Sequence, residues 1–379
     1  MLKLPPLSLY IHVPWCIRKC PYCDFNSHAV KTDIPETDYL NQLLWDLKQE
    51  LPKVQERELH SIFVGGGTPS LLSPKGYQWL FARIAELIPF STSMEITMEA
   101  NPGACEYGAL DRYVEAGINR FSFGVQSFQN DKLKALGRIH SAEEAIKAIK
   151  ALKATGVPNF NIDLMHGLPG QSVADALTDL QQAITLEPAH ISWYQLTIEP
   201  NTVFYSRPPQ LPNDEKLWNI QEQGQALLAT AGFQQYEISA YAGKNQNRSQ
   251  HNLNYWQFGD YLGIGAGAHG KWTDQHTSAV FRNRKTRMPK DYLETQDSFE
   301  AGVRQLTAED LRLECLMNSL RLNDGMEASL YTERTGMALS TLQPGWQHAI
   351  DMKLMEKGNR LKATTQGRLF LNDLLAYFT

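Results

Sequence analysis

Cys16, Cys20 and Cys23 place three of the chain's five cysteines within eight residues. Thiolates at this spacing on one short loop can hold three irons of a cubane iron–sulfur cluster and leave the fourth open to a ligand. Zinc is the competing chemistry, with His28 as a fourth donor. A structural zinc site usually draws on paired Cys-x-x-Cys knuckles, and no second knuckle occurs here. Ser61-Ile62-Phe63-Val64-Gly65-Gly66-Gly67-Thr68-Pro69 is the second candidate. Its glycines let backbone amides approach a ligand closely, although a glycine run by itself equally describes a tight turn.

These residues need a scaffold that brings distant segments to one face. Apolar runs at 7–13, 61–65, 95–100, 120–126, 159–165 and 190–196 alternate with helical periodicity at 38–50, 74–88, 107–116, 142–155, 172–186 and 214–231. Pro74 suits a first helical turn, and Gly117, Gly156 and Gly232 stand where helices should stop. Six β-α units predict a parallel sheet covered by helices, short of a closed barrel. The expected fold class is therefore α/β, a partial (β/α)6 TIM-like barrel over residues 1–235. An irregular, aromatic and Gly-rich extension is expected over 236–288, able to form extra strands between 236 and 269, with an exposed loop at 242–249. Residues 289–379 predict a smaller, mainly helical, winged-helix-like unit, with helices at 306–320, 328–335, 342–357 and 365–377 and a strand at 359–364.

Composition narrows the function classes. Hydrophobic residues make up 42% of the 379, which is globular chemistry. The formal charge of −5 argues against holding nucleic acid by bulk charge. No run approaches the roughly 18 apolar residues of a membrane span. Met1-Leu2-Lys3-Leu4-Pro5-Pro6 leads straight into a strand-like segment, so no secretory signal is expected, and clustered cysteines suit a reducing compartment. The expected location is cytoplasmic.

The cysteine triplet, the Gly-Gly-Gly-Thr-Pro segment and the six β-α units together resemble the radical S-adenosylmethionine superfamily. Tyr10-Ile11-His12-Val13-Pro14-Trp15-Cys16, Met98-Glu99-Ala100-Asn101-Pro102-Gly103, Gly124-Val125-Gln126-Ser127-Phe128, Leu136-Gly137-Arg138-Ile139-His140 and Asp163-Leu164-Met165-His166-Gly167 resemble its coproporphyrinogen-dehydrogenase-like branch. The resemblance implies a 4Fe-4S cluster on Cys16, Cys20 and Cys23. It also implies S-adenosylmethionine among Tyr10, Gly66, Gly67, Thr68, Glu99, Gln126, Arg138 and Asp163. Arg138 can fork onto a carboxylate, while Glu99 and Asp163 can accept from an ammonium or ribose hydroxyls. Glu99, Gln126 and Asp163 fall at the ends of successive strands, where parallel β/α folds bind ligands. Singly, each also reads as a satisfied polar residue. Tyr22 and Phe25 flank Cys23 and read either as shields for a cluster or as loop packing.

Two departures separate the chain from the dehydrogenases of that branch. Phe25 stands where their pattern resembles a further cysteine, and only nine residues precede Tyr10. Both features, with His251-Asn252-Leu253-Asn254-Tyr255-Trp256, are similar to the branch's heme chaperones. That likeness implies heme as cargo, passed to respiratory heme proteins, with the oxygen-independent coproporphyrinogen III dehydrogenase reaction as the alternative. It points to His251 as a heme ligand, although a histidine beside Tyr and Trp is more often a hydrogen-bonded core residue. His12, His140, His166 and His269 read equally well as supporting or packing residues, and Cys105 and Cys315 as inert thiols. A recipient at the inner membrane implies peripheral association through a partner.

Overall fold

The computed structural model describes residues 2–30, 33–103 and 110–379. Cys105 and the start of the helix expected at 107–116 lie outside them. Six parallel strands stand in sequence order: β1 (Leu7–Val13), β2 (Leu59–Gly66), β3 (Phe90–Ala100), β4 (Arg120–Gln126), β5 (Phe160–His166) and β6 (His190–Gln195). β1, with only Tyr10 less than buried, and β4, with only Gly124, are covered on both faces: Leu7, Leu9, Ile11 and Val13, like Phe121, Phe123 and Val125, form one apolar face, while Ser8, Tyr10 and His12, like Arg120, Ser122 and Gln126, take the other.

The covering helices are α1 (Glu36–Glu50), α2 (Pro74–Leu87), α3 (Leu110–Glu115), α4 (Asn130–Ala135), α5 (Ala142–Ala154), α6 (Val173–Thr185) and α7 (Asp214–Thr230). Their starts are chemically marked. The Ser141 hydroxyl accepts from the Glu144 N–H while the Glu144 carboxylate accepts from the Ser141 N–H, and Ser172 and Asp175 repeat the arrangement. Among the described residues the sheet stays open between its two edge strands. Beyond β6 it continues antiparallel into β8 (Ala240–Ala242) and then β7 (Gln234–Glu237).

The aromatic, Gly-rich stretch supplies extra strands, and the sheet extends through them at its other edge. β9 (Asp260–Ile264) pairs parallel with β1, and β10 (His269–Asp274), β11 (Ala279–Lys285) and β12 (Glu300–Gln305) follow antiparallel. The short helix α8 (Gln250–Trp256) leads into β9. The strand character of β11 is hidden by its Arg282-Asn283-Arg284-Lys285 half, in which Arg282 and Lys285 find carboxylates far away in the chain. Lys285 Nζ lies 2.6 Å from both Asp46 and Glu50 of α1, fully buried.

Asp260 anchors this extension. Buried at the start of β9, it accepts from Arg57 Nη1 and Lys271 Nζ, both at 2.8 Å, and from the Thr273 N–H and hydroxyl. Burial alone would raise its pKa, but Lys271 and Arg57 outweigh it and hold the carboxyl below the usual range. Its stabilisation is therefore present above the ordinary Asp pKa and is lost as pH falls through the lowered value. Asp260→Ala strands two cations and is expected to cost about 3–5 kcal/mol in denaturant unfolding. A loss below ~1 kcal/mol would remove Asp260 as the anchor.

A second core lies at the C-terminal end, where Leu311, Leu316, Tyr331, Leu361 and Phe378 pack together. Helices α9 (Ala308–Ser319) and α10 (Ala328–Thr335) accompany a small antiparallel pair, Met326–Glu327 against Arg360–Leu361, as a helical, winged unit should. The long helices expected at 342–357 and 365–377 are broken. Pro344 precedes the short helix Gly345–Asp351, and Phe370 separates Thr365–Leu369 from Leu371–Leu375. Among the described residues no helix is long and apolar enough to cross a membrane.

Candidate cofactor site and adjoining cavity

A cavity of 490 Å³ opens where strands β2–β6 end. The loop after β1 forms one wall and brings Cys16, Cys20 and Cys23 to it as free thiols. That loop is closed at its base, because the His28 N–H donates to Pro14 O and the Val30 N–H to Cys16 O. The thiols share this wall; among the described residues no three candidate ligands converge on a metal-sized centre. Burial raises the pKa of Cys16 and Cys23, so metal binding there must displace protons.

The glycines of the second candidate are required by crowding. A Cβ on Gly67 would lie 2.3 Å from Trp15 O, and one on Gly66, whose φ is +109°, would meet the His12 ring at 2.6 Å. The end of β2 can thus press against the cysteine loop, with Gly67 N–H donating to Val13 O and Thr68 N–H to Trp15 O.

Glu99 and Asp163 face the same cavity, both half-buried. Burial and the nearby Asp163 charge push Glu99 up to about 8, against one hydrogen bond from the Gly66 N–H. Burial raises Asp163 as well, while Ser122 Oγ and Asn161 Nδ2, at 2.7 and 2.8 Å, oppose the rise. Two half-buried carboxylates in one cavity favour a cationic occupant. Gln126 has φ +70°, an unusual backbone for a glutamine, and its Oε1 accepts from Tyr194 OH at 3.0 Å.

Arg138 reaches Gly124 O at 2.6 Å, Asn101 Oδ1 at 3.2 Å and Cys20 Sγ at 3.7 Å. Its buried Nε has no partner among the described residues, an orphan donor beside a cavity that otherwise favours cations. The donor set fits an iron–sulfur cluster carrying S-adenosylmethionine: soft thiols, a guanidinium beside one of them, a spare donor for a carboxylate, and two carboxylates for an ammonium and hydroxyls.

Two expected residues lie elsewhere. Tyr10 faces an adjoining cavity of 570 Å³, which shares Asp24, Phe25, Gly66 and Glu99 with the first. His251 lines neither cavity. It is fully buried against Phe63, its Nδ1 2.9 Å from Ser61 Oγ and its Nε2 2.8 Å from Tyr255 OH. Burial, aided by Arg120, pushes its pKa down to about 3. With both nitrogens engaged, the imidazole has no free lone pair to offer iron, and its place is that of a core histidine. Ser122, Asn161, Ser192 and Tyr194 also line the first cavity, and sequence reasoning passed over them. Their signal was the two-residue alternation that sets Asn161 beside Asp163 and Ser192 beside Tyr194.

Residues 10–183 match the radical SAM superfamily, and residues 306–370 the HemN C-terminal domain. Among solved structures, coproporphyrinogen III oxidase (HemN) from Escherichia coli, a radical SAM enzyme, shares the fold. It has a TM-score of 0.81 over 99% of this chain and 90% of its own, at 22% identity. The heme chaperone HemW of Haemophilus influenzae is 51% identical over all of this chain and 99% of its own length. HemW of Escherichia coli is likewise 51% identical over the same shares, and that of Bacillus subtilis 33% over 98% of each. The chain belongs to the HemW family.

Proposed function

We propose that this chain is a heme chaperone, binding heme and passing it to heme proteins from a radical S-adenosylmethionine scaffold. The observation that carries the reading is 51% identity to heme chaperones along the entire chain. Phe25, where the coproporphyrinogen branch has a further cysteine, supports it. In this reading Cys16, Cys20 and Cys23 hold a 4Fe-4S cluster, whose open iron supplies a coordination site for S-adenosylmethionine. Gly66, Gly67 and Thr68 give that ligand close backbone access, and Gln126 adds a polar contact. Arg138 Nε receives its carboxylate, and Glu99 and Asp163 its ammonium and hydroxyls. Tyr10 faces the adjoining cavity, across the Gly66 and Glu99 wall that the two cavities share.

The recipients we propose are respiratory heme proteins at the inner membrane. The chaperone would reach them from the cytoplasm through contact with a partner. The test is anaerobic reconstitution with iron and sulfide, followed by a heme titration read in the Soret band and, in parallel, a coproporphyrinogen III assay. Stoichiometric heme binding without decarboxylation is expected. Decarboxylation without a stable heme complex would replace this reading with the dehydrogenase reaction.

A further inference from the structure

Resting on the heme-chaperone reading, we propose that heme docks in the cavity beside the cofactor site, with His269 as an iron ligand and Arg284 and Arg287 holding the propionates. The cavity has the chemistry of a porphyrin. Its 570 Å³ are lined by the rings of Tyr10, Tyr255 and Tyr261 and by Phe25, a large apolar side chain left 56% exposed. Such rings stack on or edge against an extended planar ligand.

The cations set this cavity apart. Arg282, two residues before Arg284, pairs with Glu314, and the buried Lys271 and Lys285 each meet carboxylates. Arg284 and Arg287 line the cavity, exposed, with no acidic partner among the described residues. Two free guanidinium groups on one rim match two carboxylates on one edge of a ligand.

His269 is the first residue of β10 and lies directly across from Arg284 of β11. Its ring is exposed on the cavity and has no hydrogen-bond partner among the described residues, whereas His12, His190 and His251 have both nitrogens engaged. Partial burial and the charges of Arg282, Arg284 and Arg287 lower its pKa, keeping it neutral at physiological pH. A neutral imidazole with a free lone pair is what heme iron takes. Placed here, the cargo would share the Phe25, Gly66 and Glu99 wall with S-adenosylmethionine.

The test compares heme with iron-free protoporphyrin IX on the reconstituted full-length protein. His269→Ala should weaken heme about tenfold and change its axial-ligand signature, while protoporphyrin affinity stays within about twofold. His269→Tyr should replace the histidine signature with that of a phenolate, a readout that does not depend on affinity. Arg284→Glu with Arg287→Glu should weaken both porphyrins about tenfold or more. Retained iron–sulfur absorbance and circular dichroism certify each variant as folded. Unchanged affinities and ligand signature in these variants, with the wild type binding heme, would overturn this site and leave the chaperone reading standing. A wild type that binds no heme would overturn both.

Discussion

Cys20→Ser is expected to abolish the brown iron–sulfur absorbance of the reconstituted protein, with bound iron and sulfide falling to background. Three thiols face the cavity, and three irons of a cubane cluster each need one. A serine hydroxyl does not ionise near neutrality and is a poor match for a soft iron site. The fold should survive, because the loop is closed by backbone bonds from His28 to Pro14 and from Val30 to Cys16, which do not involve this side chain. Arg138 would lose its sulfur contact but keep Gly124 O and Asn101 Oδ1. Iron, sulfide and zinc analysis beside the far-ultraviolet spectrum decides the matter. A wild type that takes up zinc in place of iron and sulfide would refute the cluster assignment itself.

Glu99→Gln is expected to separate cofactor binding from stability. Burial and Asp163 raise the Glu99 pKa from its ordinary value to about 8, so the unliganded protein holds this group neutral through most of the physiological range. The folded state therefore binds more protons than the unfolded state between about 4.5 and 8, and stability falls as pH rises across that window. Glutamine keeps the shape and removes the titration, so the variant's melting temperature should decline less over the same interval. Binding should move the other way. An ammonium or sulfonium beside Glu99 favours the ionised form, so S-adenosylmethionine binding below pH 8 should release a proton, and affinity should rise with pH. The variant should lose about tenfold in affinity together with that proton release. Calorimetry in buffers of different ionisation enthalpy measures the proton, and thermal melts at several pH values measure the rest. Equal affinity and proton release in the two proteins would remove Glu99 from the ligand's surroundings.

The central barrel was legible because its code is local. β1 and β4 span the very residues their apolar runs predict, since Leu, Ile, Val and Phe at every second position mark one buried face of each strand. Helix caps are equally local, and Gly156 and Gly232 adopt φ of +82° and +87° where helices were expected to stop. The C-terminal third obeyed long-range rules. β9 through β12 mix charged and aromatic residues, and only partners far away in the chain, such as Asp46 for Lys285 and Arg57 for Asp260, show why those charges belong in a sheet.

The candidate site divides along the same line. Cysteine spacing and a glycine run survive in one dimension. The opposite fates of two histidines do not. His251 sits in a conspicuous motif, yet Ser61 from β2 closes one of its nitrogens. His269 has an unremarkable neighbourhood in sequence, and only the register of β10 on β11 brings it opposite Arg284.

The parallel pairing of β9 with β1 also has a consequence during synthesis. Leu7 pairs with Asp260, so one edge of the first strand waits for its neighbour until about two thirds of the chain has emerged. Until then β1 is an apolar strand with unpaired amides and carbonyls, the kind of edge that recruits other chains. A nascent chain stalled before residue 260 should be prone to aggregation and depend on holding chaperones. Once β9 arrives with its Asp260 anchor, the same event covers that edge and begins the wall that carries Tyr261 and His269.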